Sequence, residues 1–193
     1  FIDLPSNPLL SREPLSEKWL FVGRLSPEKG ILQLVNIFPD QFKLDIFGEG
    51  PLKSDILEHI KKRRNIRYLG VFENKNFHSL MSKYVGGFIP SIWTEGLPTT
   101  YLEYCASGLP TISWSSNSSS DYVANYSTGK VLSDFNKTEL VSAMNEVILN
   151  RTKYSENAIL LAEKKFSSNL WYEQVMKIVE LKLPRDHEAN SSN

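Results

Sequence analysis

The sequence predicts an α/β protein with one doubly wound, parallel sheet, and three observations lead to this fold class. Short apolar runs of strand length alternate with segments of helical periodicity along the chain. Glycine and proline stand between these segments, where turns are expected. The length of 193 residues suits a single core. In such a sheet, right-handed crossovers bring the carboxyl ends of the strands to one edge, and ligands bind there.

The first half of the chain contributes four strands and three helices to this prediction. Residues 1–17 contain Pro5, Pro8 and Pro14 and little periodicity, so they are interpreted as a linker or surface arm before a domain over residues 18–183. Strands are predicted at 18–25, where Gly23 bounds the apolar run, and at 42–47, 66–69 and 87–90. Helices are predicted between them at 28–38, 52–64 and 74–84.

The second half continues the alternation. A helix predicted at 99–107 has Pro98 before it and Gly108 after it, which is the expected punctuation of a helix. Strands at 111–114 and near 131–132 follow, and then helices at 138–149 and 154–183, the last with a break near Ser167 and Ser168. No helix is predicted for the serine cluster at 115–120 and the residues after it, and residues 184–193 are interpreted as a polar tail.

Charge and cysteine content exclude several classes of protein. Lys plus Arg and Asp plus Glu number 22 each, so no net charge attracts nucleic acid or an anionic membrane over a long range. The single cysteine, Cys105, excludes an intramolecular disulfide and suits a reducing, cytoplasmic compartment. No apolar run approaches the roughly 20 residues that span a bilayer. The chain begins at Phe1 without a signal peptide, which indicates a processed chain or a piece of a longer one.

The first candidate site follows the first strand. Gly23 ends this strand, and Arg24 and Lys29 lie in the loop that leads to the first helix. A planar guanidinium and a compact ammonium at the ligand edge suit a diphosphate. The alternative is a pair of surface cations, one of them near a helix N-terminus, where a cation is unfavourable. The spacing alone leaves both interpretations open.

The second candidate site lies between the strand at 87–90 and the helix at 99–107. Glu95 precedes the helix, Gly96 opens the turn, and Glu103 lies just over one turn inside the helix. Amides at a helix start favour an anion, and carboxylates accept hydrogen bonds from the vicinal hydroxyls of ribose or of a sugar. Alternatively, Glu95 is an ordinary helix-start charge and Glu103 a solvated helix residue.

Together these stretches resemble a known family. The segments GRLSPEKG, FGEGP, IRYLGVF and PSIWTEGLPTTYLEYCASGLPTI, in this order, resemble the C-terminal domain of group 1 (family 4) retaining glycosyltransferases. The resemblance runs from about Trp19 to the end of the chain, and two glutamates separated by seven residues and followed by a Gly-Leu-Pro make it specific. It implies the second half of a two-domain GT-B enzyme whose N-terminal domain binds the acceptor and is absent from this chain.

The resemblance also implies a role for each matching residue. Arg24 and Lys29 bind the donor diphosphate, Glu95 the hydroxyls of the transferred sugar, and Glu103 the ribose. Glu95, Arg24 and Lys29 are the candidate catalytic residues. Residues 69–71 lie against the nucleobase, amides of 97–100 hold the phosphates, and two glycines keep the neighbouring turn open. The implied donor-binding set is Gly23, Arg24, Lys29, Gly48, Gly50, Leu69, Gly70, Val71, Glu95, Gly96, Leu97, Pro98, Thr99, Thr100 and Glu103.

The partners and alternatives follow from the same resemblance. The donor is a UDP- or GDP-sugar, no metal or other cofactor is expected, and no His/Cys/Asp cluster has metal-ligand spacing. The acceptor is a glycan or a lipid-linked acceptor, as in polysaccharide biosynthesis, and the enzyme is cytoplasmic or held at the inner membrane face by the absent domain. This chain alone is expected to be inactive. A sugar-nucleotide epimerase and a non-catalytic donor-binding subunit of a split enzyme remain as alternatives.

The chain departs from the family pattern in one place. Ser119, Ser120 and Asp121 stand where the family has a glycine pair followed by proline and glutamate, so this loop is expected to differ in shape and contacts. Two further features are given ordinary interpretations. The basic cluster at 61–64 suits a helix C-terminus, with a membrane or nucleic-acid patch as the alternative. Trp93 is interpreted as an ordinary half-buried tryptophan, with a place in the lining of the sugar pocket as the alternative.

Overall fold

The computed structural model describes residues 4, 17–71, 77–81, 83–94, 96–169, 172–173 and 176–177. Within these residues it has one sheet of six strands, all parallel, in the order β3-β2-β1-β4-β5-β6. The order reverses direction between β1 and β4, which makes this pair the switch point of the sheet. The strands are β1 (Lys18–Val22), β2 (Lys43–Phe47), β3 (Ile66–Tyr68), β4 (Gly86–Ile89), β5 (Thr111–Trp114) and β6 (Gly129–Leu132).

Helices connect the strands and cover both faces of the sheet. A 3-10 turn at Pro27–Lys29 leads into the helix at Ile31–Ile37, and a π-helical turn at Ala162–Phe166 follows the helix at Arg151–Leu161. The helices are α1 (Ile31–Ile37), α2 (Lys53–Ile60), α3 (Phe77–Met81), α4 (Thr99–Ala106), α5 (Ser119–Asn125), α6 (Lys137–Leu149) and α7 (Arg151–Leu161).

Alternation along the strands divides the core into two layers. In β1, Trp19 and Phe21 belong to the layer under α1, α2 and α6, whereas Leu20 belongs to the layer under α3, α4 and α7. The ring of Phe88 in β4 stacks on Trp19 at 5.1 Å between centroids, so the two strands of the switch point share one aromatic contact. Both faces of the central strands are therefore buried, as expected for a parallel sheet.

One charged pair lies on the face of the sheet opposite Leu44 and Ile46. Asp45 in β2 is 2% exposed and accepts hydrogen bonds from Nε and Nη2 of Arg67, on the adjacent β3, at 2.9 and 2.8 Å. The hydroxyl of Tyr84 donates to the same carboxylate at 3.1 Å. Burial and then the charge of Asp45 raise the pKa of Tyr84 far above its ordinary value, so this phenol stays protonated.

The structure confirms the predicted fold class, and most elements lie where they were predicted. The helix predicted at 52–64 is an exception, because α2 ends at Ile60. The chain turns there, and Arg63 donates to the carbonyl oxygens of Val35 at 3.2 Å and Phe38 at 2.6 Å at the end of α1. Arg63 thus satisfies the carbonyls at a helix C-terminus, as cations commonly do.

Two further differences concern the second half of the chain. Helix α5 was not predicted, and α7 begins at Arg151 rather than at residue 154. The predicted break near Ser167 is confirmed, because the backbone is extended there (φ −61°, ψ 133°). Apart from Leu4 and Glu17, the proposed arm at 1–17 lies outside the described residues, as does the tail at 184–193.

Candidate functional site

The loops after β1, β2 and β3 are joined by backbone hydrogen bonds at the carboxyl edge of the sheet. The amide of Gly23 donates to the carbonyl of Phe47 at 3.1 Å, and that of Leu25 donates to Glu49 at 2.9 Å. The amide of Gly48 donates to the carbonyl of Gly70 at 2.8 Å. Each loop therefore continues the pairing of the strand before it, and the three loops form one continuous surface.

Glycine is required where these loops approach each other. Gly48 has a φ of +145°, and a Cβ at this position would lie 1.8 Å from the carbonyl oxygen of Gly23. Gly50 has a φ of +159°, and its Cβ would lie 2.3 Å from the oxygen of Leu25. No side chain fits at either distance, so both glycines allow the second loop to lie directly on the first.

A second close contact joins the two sides of the switch point. Gly30, with a φ of +64°, ends the 3-10 turn after β1, and a Cβ there would lie 1.9 Å from the oxygen of Pro90 after β4. The amide of Ile92 donates to the carbonyl of Glu28 at 3.0 Å. A small cavity opens at this junction and is lined by Phe21, Val22, Gly23, Lys29, Phe88, Ile89, Pro90, Ser91, Pro98 and Thr100.

The structure places the two predicted cations differently. Lys29 is half-buried and lines the cavity together with Thr100 of α4. Arg24 is exposed on the loop after β1. Between them, Ser26 donates to the carboxylate of Glu28 at 2.5 Å, and this hydrogen bond is the main reason that the pKa of Glu28 lies below its ordinary value. The loop thus carries an ionised carboxylate as well as its two cations.

The start of helix α4 brings Pro98 and Thr100 of the second candidate site to the same cavity, whereas Glu103 is not among the residues that line it. Thr99 and Thr100 are its first two residues, and the next amide, that of Tyr101, already donates to the carbonyl of Pro98 at 2.9 Å. Pro98 has no N–H, so within the predicted amide segment 97–100 the donors are the other three residues. Glu103 lies in the second turn and is half-buried, and burial raises its pKa above the ordinary carboxyl value.

The remaining predicted residues lie at the two ends of this edge. Leu69 and Val71, after β3, are 42% and 62% exposed, and Gly70 between them has a φ of +85°. Three strand spacings separate β3 from β4, or roughly 14 Å. Gly96 and Leu97 precede α4, and Glu95 lies outside the described residues. The edge therefore presents an exposed apolar surface at one end and a cation, helix amides and a carboxylate at the other.

Side chains hold the loop after β4, and the sequence analysis did not predict them. Asn117, which is 3% exposed, donates from Nδ2 to the carbonyls of Ile89 and Ser91 at 3.1 and 3.2 Å. Ser116 donates to the same Ser91 carbonyl at 2.9 Å. An asparagine in a polar tract directly after a strand was the only sequence signal for this arrangement.

Two interpretations of this region were wrong. Ser119 and Ser120 were expected in a loop, but they are buried in the first turn of α5, with Ser118 before it and Asp121 in the same turn. Trp93 was interpreted as half-buried, but its side chain is 67% exposed. The loop after β4 therefore projects its indole outward, while Ser116 and Asn117, in the turn before α5, hydrogen-bond to its backbone.

Among the described residues, no group of three or more His, Cys, Asp or Glu side chains could hold a metal ion. Within the same residues, none of the helices combines the length and apolar character needed to cross a membrane.

Strand order and ligand edge together define the class of this protein. A six-stranded parallel sheet with its switch point between β1 and β4, flanked by helices, is the Rossmann-like half of a GT-B glycosyltransferase fold. The sequence profile of the family described as glycosyl transferases group 1 matches residues 12–165. The chain therefore belongs to the glycosyl transferases group 1 family, which favours a transferase over a sugar-nucleotide epimerase.

Solved structures agree with this fold. The chain is similar to HepE from Anabaena in complex with UDP, with 17% identity and a TM-score of 0.74 over 86% of this chain and 49% of that one. It is similar to a TarM variant from S. aureus in complex with fondaparinux, α-GlcNAc-glycerol and UDP, with 18% identity and a TM-score of 0.73 over 92% and 38% of the two chains.

A third structure is the pneumococcal O-GlcNAc transferase GtfA in complex with UDP and GlcNAc, with 20% identity and a TM-score of 0.72 over 93% and 38% of the two chains. This chain thus spans less than half the length of these structures. A comparison with curated protein sequences finds no match.

Proposed function

We propose that this chain is the donor-binding domain of a retaining glycosyltransferase and that it holds a UDP- or GDP-sugar along the carboxyl edge of the sheet. The observation that carries the proposal is the cavity at the switch point, where Lys29 from the β1 loop and Thr100 from the start of α4 line one small space. A cation and helix N-terminal amides that meet in this way suit a diphosphate.

In this proposal the diphosphate lies at the cavity. Lys29 and the amides of Thr99 and Thr100 hold it, together with amides of Gly96 and Leu97, and Arg24 approaches from the exposed side of the loop. Gly23, Gly48 and Gly50 lie in the loops that form this edge, and a Cβ at Gly48 or Gly50 would meet the backbone of the loop that carries Arg24 and would displace it. Negative charge grows on the diphosphate as the glycosidic bond breaks, so Arg24 and Lys29 stabilise the leaving group.

The nucleoside extends from the cavity toward β3. Its ribose hydroxyls donate to the carboxylate of Glu103, and its base lies against the exposed segment Leu69-Gly70-Val71. The edge from β3 to β4 is about 14 Å wide, which suits a nucleoside diphosphate in an extended form. The transferred sugar lies beyond the diphosphate, where Glu95 binds its hydroxyls.

The rest of the enzyme supplies the acceptor side. A second, N-terminal domain binds a glycan or lipid-linked acceptor, the sugar is transferred with retention in the cleft between the domains, and this chain alone has no transferase activity. Support comes from the GT-B fold and from the similar structures, which are about twice as long or longer and contain UDP, or UDP with a sugar. We place the assembled enzyme in the cytoplasm or at the inner face of the membrane.

Calorimetric titration with UDP and GDP, with and without EDTA, tests the binding site and the absence of a metal requirement. We expect one nucleotide to bind with the same affinity in both buffers, because the charges that face the diphosphate come from side chains and amides. Binding that disappears with EDTA contradicts the metal-free site, and no binding of either nucleotide contradicts the proposal itself.

Substitution of the two glutamates tests the orientation of the donor. Glu103→Ala should weaken the free nucleotide and the sugar nucleotide alike, by about tenfold to a hundredfold, since a hydrogen bond to a charged group contributes about 1.5–3 kcal/mol. Glu95→Ala should weaken only the sugar nucleotide. Circular dichroism first establishes that both variants are folded. Equal loss of the free nucleotide in both variants would reverse the assigned roles, and unchanged binding would indicate two solvated carboxylates.

A further inference from the structure

We infer that Asn117 is a positioning residue of the donor site, which fixes the segment Ser91–Thr94 before any ligand arrives. The inference rests on the proposed function, because this segment leads directly to Glu95 and the sugar end of the donor. Asn117 itself lies in the turn between β5 and α5, is 3% exposed and has no surface with which to touch a ligand.

The amide group of Asn117 spans the end of β4. Its Nδ2 donates two hydrogen bonds, to the carbonyl of Ile89, the last residue of the strand, and to that of Ser91, at 3.1 and 3.2 Å. An NH₂ group has two donors, and both are used here on carbonyls two residues apart. Asn117 therefore sets the direction in which the chain leaves the sheet after β4.

The side-chain oxygen of Asn117 is hydrogen-bonded as well. Its Oδ1 accepts from the hydroxyl of Ser113 at 2.9 Å and from the backbone amide of Ser119 at 3.1 Å, and the hydroxyl of Ser119 lies 2.5 Å away. Ser113 and Ser119 are fully buried. Since donors face one end and acceptors the other, only one orientation of the Asn117 side chain satisfies all these partners.

Further bonds restrain the segment that Asn117 directs. The Ser91 carbonyl also accepts from Ser116 at 2.9 Å, the Ile92 amide donates to Glu28 at 3.0 Å, and the Thr94 hydroxyl lies 3.5 Å from the Ser116 carbonyl. These contacts fix both sides of Trp93, whose indole is 67% exposed. A segment that is ordered in the free protein loses less conformational entropy when the donor binds, so its contacts contribute more to affinity.

The chain contains a matched control for this role. Asn65 also donates from Nδ2 to two backbone carbonyls, those of Pro39 and Phe42, at 3.1 and 3.0 Å. It lies at the start of β3, at the opposite edge of the sheet from the ligand loops. Asn65→Ala and Asn117→Ala therefore each remove two hydrogen bonds from a side-chain amide to backbone carbonyls. The bonds of Asn65 lie far from the site, and those of Asn117 lie directly behind it.

Hydrogen–deuterium exchange of the free protein tests the positioning directly. In Asn117→Ala we expect amides of residues 91–94 to exchange about tenfold faster than in the wild type, with the rest of the sheet unchanged. Asn65→Ala should leave residues 91–94 unchanged. Ser116→Ala, which alters an exposed side chain and retains the fold, should give a rise of about threefold in the same residues. No rise at 91–94 in either site variant, or an equal rise with Asn65→Ala, overturns the inference.

Titration with UDP, GDP, UDP-glucose and GDP-mannose tests the consequence for the donor. Asn117→Ala should weaken the bound sugar nucleotide about fivefold more than the corresponding free nucleotide, whereas Asn65→Ala should change both equally or not at all. An equal loss of both ligands in Asn117→Ala overturns a role at the sugar end. A wild-type protein that binds none of the four ligands refutes the proposed function, and the exchange measurement then still decides whether Asn117 holds the segment.

Discussion

The two sides of the ligand edge are held together by different means. On the side of β1, β2 and β3, loop backbones contact each other directly, with amide-to-carbonyl bonds such as that from Gly48 to Gly70 and room for nothing larger than glycine. On the side of β4 and β5, the loops are separated, and the side chains of Asn117 and Ser116 bridge them.

This difference indicates which parts of a site can be predicted from a single sequence. Backbone contact imposes a residue type, because only glycine fits, and a Gly-x-Gly after a strand is therefore a visible signal. Contact through side chains imposes only a requirement for donors and acceptors that match, and several residue types meet it. Asn117 stands in a run of serines, where nothing in the local pattern distinguishes it from a surface polar residue.

The largest effect is expected on the backbone-held side. Gly48→Ala should lower the free energy of unfolding by more than about 3 kcal/mol, since its Cβ would lie 1.8 Å from the Gly23 oxygen and the loops must separate. Gly70→Ala is the control, because Gly70 also has a positive φ, +85°, but open space around it, and should cost only about 1 kcal/mol. Urea denaturation measures both, and equal costs would show that backbone conformation rather than contact makes Gly48 necessary.

A smaller effect on stability is expected on the side of β4 and β5, where side chains join the loops. Two residues of β5 allow the comparison. Ser113→Ala should cost about 1–2 kcal/mol, because it removes a buried donor to Asn117. Thr111, two residues earlier in β5, has a buried hydroxyl with no hydrogen-bond partner among the described residues, so Thr111→Val should be neutral or slightly stabilising. Thermal unfolding compares the two variants. If Thr111→Val costs as much as Ser113→Ala, then packing and not hydrogen bonding holds this side.

The smallest effect concerns pH, which acts on the side that carries Glu103. Burial raises the pKa of Glu103 in the folded state, so the folded protein binds its proton more tightly than the unfolded chain does. The stability that this proton contributes is present below the ordinary carboxyl pKa of 4.5 and is lost as pH rises through the raised value. Glu103→Gln should abolish this part of the pH dependence of the free energy of unfolding. Parallel profiles for the wild type and the variant would refute it.

The fold was largely predictable because its signals are local. The strand at 111–114 was predicted at its observed bounds, and the predicted break at Ser167 is present. Helix α5 was not predicted, since its first turn is a run of serines and its buried residues make contacts only in the folded sheet. The end of α2 was missed because its cause, Arg63, binds carbonyls of α1 that are more than 20 residues away.

The location of the site was easier to predict than the contacts that hold its loops in place. Lys29 and Thr100, which follow two different predicted strands, line one cavity, because strand order alone brings the β1 and β4 edges together. The exposure of Trp93 was not predictable, since it depends on the direction in which Asn117 sends the loop after β4. The roles of the individual donor-binding residues, including Glu95, stay predictions.

The position of the switch point also has a consequence for how the protein folds. Strands β1 to β3 pair with neighbours that are close in the chain, and so do β4 to β6, but Trp19 of β1 meets Gly86 of β4 across a long intervening segment. Closing such a distant pair costs chain entropy before its contacts form, which makes it a slow step. We therefore expect the two halves of the sheet to assemble before they join. Since Lys29 and Thr100 come from different halves, the cavity between them is completed only at that last step, and a nucleotide bound there would hold the joined state against reopening.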